Sequence, residues 1–170
     1  MENTEYVLKK LDSDSIPEAV EKAHRYRLLN EPLEAESICL DILEVTPDNQ
    51  EALLILFQAL TDQFSKGLQR VFREAVKLLE KLPDEYNQLY YEGVICERRA
   101  KASHQLRRPS SGHVAYEWLQ RALNFYERAS ALSPAGNADA DLRWNTVVRI
   151  MERFPDIRPD PAEWTPTFLE

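Results

Sequence analysis

The chain has 170 residues, 44% of them hydrophobic and 29% charged, with a formal net charge of −8. That apolar content suffices for one packed domain, while the acidic excess argues against nonspecific binding of nucleic acid or membrane by the surface as a whole. With four glycines and β-branched residues that come singly, nothing alternates as a strand does, and the composition reads as all-α.

Residues 1–15, MENTEYVLKKLDSDS, lack the apolar core of a signal peptide. No later stretch approaches the ~18 apolar residues of a membrane span, so a cytoplasmic location and no membrane partner are expected. The first predicted helix opens at Ser15 with Glu18 as a capping-box pair, followed by apolar Ala19, Val20, Ala23, Tyr26 and Leu29. Asn30 and Pro32 close it and open a second helix that runs to about Val45. Asp48 with Glu51 predicts the next cap, leading into ALLILFQAL. The turn that follows falls in DQFSKGLQR, where Ser65 and Gly67 weaken a helix. Another pair of helices begins near Tyr86 and is interrupted by KASHQLRRPSSGH, with both of its helices lengthened and joined by a flexible crossing near Pro109. A closing helix follows Pro134. Residues 153–170 are rich in proline and are expected to form an irregular tail, whose Trp164, Phe168 and Leu169 dock in cis or exchange between two protomers as a homodimer.

A period underlies these elements. Counting back five, eight and twelve residues from Pro134 gives Ala129, Tyr126 and Ala122, all on one helical face. The same count from Pro47 gives Ile42, Cys39 and Ala35, and from Pro83 gives Leu78, Ala75 and Val71. Each proline ends a helix, because it tolerates neither a helix interior nor a helical residue before it. Pro47 and Pro83 lie 36 residues apart, and Pro83 and Pro134 lie 51 apart.

In its small residue, aromatic, small residue and proline, ALNFYERASALSP resembles the second helix of a tetratricopeptide repeat, a unit of about 34 residues. AESICLDILEVTP keeps the register with Cys39 and Ile42 substituted, and the first-helix pattern is matched by Ala23 with Tyr26 and by Gly93 with Cys96. The resemblance covers about Ile16 to Met151. It implies a right-handed α-solenoid of antiparallel helix hairpins at about 16–47, 48–83 and 84–134, an insertion near 103–113 and a capping helix at 137–152. Small residues let two helix backbones approach closely, and stacking of the units buries faces that one pair would leave in water.

Proteins of that family hold a partner segment along the first helices of the hairpins. The corresponding positions are Val20, His24 and Arg27, then Leu54, Gln58 and Asp62, then Tyr90, Tyr91, Val94 and Glu97, with Asp141 and Asn145 from the closing helix. Where some members carry a Lys and Asn clamp for a terminal carboxylate, this sequence has Val20, His24, Ile55, Asn87 and Tyr91, so that ligand is not expected. Tyr90 and Tyr91 point about 100° apart on a helix, so one packs and the other lines the groove. Arg98, Arg99, Lys101, Arg107 and Arg108 form a basic run that reads either as a solvated helix end or as an anion patch; it brings no base-reading module, and nucleic acid is not the expected partner.

Catalysis finds little support. Glu21 and His24 have the Glu-x-x-His spacing of di-iron bundles, but the positions three before His104 and His113 hold Lys101 and Ser110, so no second pair exists. Gly67, Gly93, Gly112 and Gly136 are too scattered for a phosphate loop. Cys39 and Cys96 sit on apolar stripes and are expected as buried free thiols. The expected role is that of a protein-binding adaptor, assembly factor or dedicated chaperone, without metal or cofactor and without enzymatic activity. The alternatives are a structural subunit of a homo-oligomer or larger complex, and a protein binding an anionic or nucleic-acid partner through the basic insertion.

Overall fold

A computed structural model describes residues 6–66 and 69–161. Those residues form seven α-helices and no strand: α1 Ile16–Leu28, α2 Pro32–Val45, α3 Gln50–Asp62, α4 Gln69–Leu79, α5 Glu85–Gln105, α6 Ser111–Ala131 and α7 Asp139–Arg153. The chain divides into two compact units, with the break between Leu60 and Thr61 inside α3.

In the first unit, a short 3-10 turn at Ser13–Ser15 precedes α1. The expected cap at Ser15 does not form: its hydroxyl donates to the Asp12 carbonyl (2.6 Å), Asp12 Oδ1 caps the turn instead, and α1 begins at Ile16 with Pro17 in its first turn. The other end of α1 is set by Asn30, which takes φ +62°. The Glu31 amide reaches back to the Tyr26 carbonyl (2.9 Å) and the Asn30 amide to that of Arg27 (3.0 Å), satisfying carbonyls the helix would otherwise leave unpaired. Pro32 then starts α2, where its missing N–H costs nothing. The two helices pack on each other, with Ala23, Ala35, Cys39 and Ile42 fully buried. Thr46 closes α2 onto the Ile42 carbonyl, and Pro47 follows. The next cap is Asn49 rather than Asp48: α3 starts at Gln50, and it is Asn49 Oδ1 that stands within reach of the Ala52 amide (2.9 Å). Along α3, Ala52, Leu53, Ile55, Leu56, Phe57, Ala59 and Leu60 are buried, so the helix is covered nearly all round.

The second unit is built on α5 and α6, each 21 residues long and packed together, with α7 against α6 and α4 against α5. Asp84 starts α5 by accepting from the Asn87 amide (2.8 Å). Gly93 is the point of closest approach. A Cβ there would stand 2.5 Å from Tyr126 Cε1, so the fully buried tyrosine ring of α6 lies directly on the α5 backbone. Leu89, Ala129 and Ala140 form a core where α5, α6 and α7 converge. A turn from Pro134 to Asn137 (3.0 Å), with Gly136 at φ +84°, separates α6 from α7.

The stretch after α7 is not a free tail in its first part. Ile157 is buried, the Asp156 carboxylate meets His104 on α5 (2.7 Å), and the Arg158 carbonyl meets His113 on α6 (2.9 Å). Trp164, Phe168 and Leu169 lie outside the described residues, as does Gly67. Among the described residues no helix is long and apolar enough to cross a membrane.

Candidate functional site

Within the second unit, one of the expected contact residues, Glu97, is a buried carboxylate on which side chains of three helices converge. Glu97 has no exposed surface, yet it carries three partners. Tyr126 donates its hydroxyl to Oε2 (2.8 Å), Lys101 one turn along α5 pairs with Oε1, and Arg143 of α7 reaches the same oxygen at 3.4 Å. A buried charge is tolerated only when so surrounded. Arg143 extends further, placing Nε 3.5 Å from the Tyr90 hydroxyl. One charged cluster therefore ties α5 to α6 and α7.

Tyr90 is the hub of the aromatic side of this cluster. Its ring stacks on Tyr86 (6.0 Å, 19°), meets Tyr91 edge-on (5.0 Å, 87°) and contacts Tyr126 (6.0 Å). Tyr90 and Tyr91 are both half-buried. Burial, with the neighbouring Tyr90 and Asp139 adding to it, pushes the Tyr91 phenol up to about 12. Tyr126 is raised further, by burial first and then by the Glu97 charge beside it. Burial opposes the charge on Arg143, but the Tyr90 hydroxyl and Glu97 outweigh it and raise its pKa. At neutral pH both Tyr91 and Tyr126 are thus neutral hydrogen-bond donors beside a fixed cation.

The remaining expected contact residues divide by burial. Val20, Val94 and Glu97 are buried, which corrects their placement on an open surface: the first two are part of the apolar core, and Glu97 is consumed by its pairs with Lys101 and Arg143 and its bond from Tyr126. His24 and Asn145 are exposed, whereas Arg27, Leu54, Gln58 and Asp62 are half-buried. Asn145 and Asp141 border a small cavity with Trp144 and Tyr126, and Asp141 accepts from Ser130 (2.5 Å).

The basic run does not form one patch. Arg98 pairs with Asp62, Arg99 lies over the Phe72 ring (5.1 Å), and Lys101 serves Glu97. Arg107 and Arg108 alone of the five remain on the exposed connection between α5 and α6. Helical spacing explains the split, since successive residues of α5 point to different faces.

The sequence reading missed an apolar groove of about 630 Å³ between α4, α5 and α6, lined by Phe72, Val76, Ile95, Cys96, Trp118 and Phe125. Phe72 and Trp118 meet edge-on (6.2 Å), and Arg121 covers Trp118 (4.8 Å). The available signal was three aromatics outside the repeat template on neighbouring helices. Both cysteines are buried and free, and burial pushes each thiol up to about 12, which favours the thiol over the nucleophilic thiolate at neutral pH. No three His, Cys, Asp or Glu side chains gather as a metal site among the described residues.

Comparison with protein-family models, curated proteins and solved structures yields no match to this chain.

Proposed function

We propose that the helices are tetratricopeptide-type repeats, paired as hairpins, and that the chain works by holding a segment of another protein rather than by catalysis. The reading is supported by the register of the three prolines, by small residues where helices meet, and by the seating of Tyr126 on Gly93. Within the second unit the contact surface is the half-buried pair Tyr90 and Tyr91 with Arg143 alongside. This is the observation that carries the proposal: two aromatics and one guanidinium, held by the Glu97 cluster on rigid helices, are the residue types that dominate binding energy at interfaces. Tyr90 is the packing member, since it touches Tyr86, Tyr126 and Arg143, and Tyr91 is the contacting one.

The test is affinity capture from the native cell with quantitative identification, comparing the parent chain with Tyr91→Ala. A partner whose recovery falls at least ~10-fold while circular dichroism stays constant supports the assignment. Unchanged recovery of every captured protein removes Tyr91 from the contact surface, and loss of helicity makes it a core residue. Light scattering on the same samples addresses the alternative of a self-assembling subunit, which requires a concentration-independent oligomer.

A further inference from the structure

Away from the tyrosines, a cavity of about 730 Å³ opens where the end of α5, the start of α6, the end of α7 and the segment after it come together. Leu119, Ile150 and Ile157 supply an apolar wall, and Lys101, Arg107 and Arg108 a cationic side. Lys101 is shared with Glu97, but Arg107 and Arg108 are exposed and have no carboxylate within ion-pair distance among the described residues. Arg107 adopts φ +50°, a left-handed conformation that disfavours side chains with a Cβ. One anion is already seated in the cavity: Asp156 Oδ2 lies 2.7 Å from His104 Nε2, and the His104 ring packs 5.0 Å from that of Phe154. The Asp156 backbone lies so close over Gly112 that no Cβ fits between them.

We propose that this cavity binds a phosphate monoester carried on an apolar body, with the phosphate on Arg107 and Arg108 and the body against Leu119 and Ile150. Two guanidiniums match the charge of about −1.5 to −2 on a monoester better than that of a carboxylate, and their planar forks suit phosphate oxygens. The volume falls within the ~300–1,000 Å³ of small-molecule sites, and a cavity with an apolar wall and few convergent polar groups is their common form. Asp156 acts as an internal competitor: its carboxylate occupies His104 and repels a second anion. The segment that carries it fits over α6 only because position 112 is glycine.

Calorimetry with hexyl phosphate at low salt tests this on the full chain. The expected result is saturable binding at least ~10-fold tighter than that of inorganic phosphate, and none for hexanol, because head and body both contribute. Arg107→Glu with Arg108→Glu should abolish binding, and Arg108→Glu alone, which leaves the strained residue untouched, should weaken it at least ~10-fold with circular dichroism unchanged. Asp156→Asn should tighten it about threefold. Tyr91→Ala should leave it as it is, so failure here and failure of the tyrosine surface are read separately. A short phosphotyrosine peptide distinguishes a modified side chain from a free metabolite as the source of the same group, according to which probe binds more tightly. Absence of binding, binding indifferent to charge reversal, or equal affinity for inorganic phosphate overturns the proposal.

Discussion

The α1–α2 pair and the α5–α6 pair solve the same packing problem at two lengths. Helices of 13 and 14 residues close with apolar groups and alanines, and a left-handed Asn30 ends the first within a single turn. Helices of 21 residues bring a glycine against a tyrosine ring and then a carboxylate with no access to water, whose charge Lys101 and Arg143 of α7 offset and whose other oxygen Tyr126 of α6 satisfies. The shorter pair needs little beyond shape. The longer one contains a polar centre joining three helices, and its extra turns frame a cavity at their ends.

Substitutions at Tyr126 strain this contrast most. Tyr126→Ala removes a fully buried ring and the hydrogen bond to Glu97, and should cost about 4 kcal/mol in urea denaturation of the second unit. Tyr126→Phe keeps the ring and should cost about 1–2 kcal/mol, isolating the hydroxyl. Next in size is Gly93→Ala, whose methyl group is driven into that ring, with an expected loss of about 1–3 kcal/mol on the same measurement. In the short pair the backbone position under test is Asn30, the left-handed residue that ends α1. Asn30→Ala should cost about 1–2 kcal/mol, while Asn30→Gly should be nearly neutral, as measured by exchange protection of α1 amides.

The smallest effect concerns pH. The hydrogen bond from His104 holds the Asp156 carboxyl below its ordinary value. A carboxyl lowered in the folded state adds stability that is present above its unfolded pKa and is lost as pH falls through the lowered value. The seating of the 154–157 segment should therefore weaken below about pH 4, and His104→Ala should raise the Asp156 titration midpoint seen by NMR.

Much of this was legible in the chain itself. Proline positions and 3.6-residue spacing place the helices, because helix ends depend on local chemistry. The caps expected at Ser15 and Asp48 are not realised: the Ser15 hydroxyl turns back to the Asp12 carbonyl, and α3 starts one residue later than an Asp48 cap requires, so that Asn49 caps it. The template also placed Glu97 on a surface, because it registers where a residue points along a helix but not what a later helix brings over it. Arg143 arrives from 46 residues away, and Asp156 meets His104 across 52. Pairings at that separation have no periodic signature.

Hydrogen exchange on Glu97→Gln addresses the polar centre most directly. If the buried charge clamps the three helices, amides of α5, α6 and α7 lose protection together while those of α1 and α2 keep theirs. Undiminished protection in α7 would mean that apolar packing alone holds it, and that Glu97 is a passenger in its own cluster.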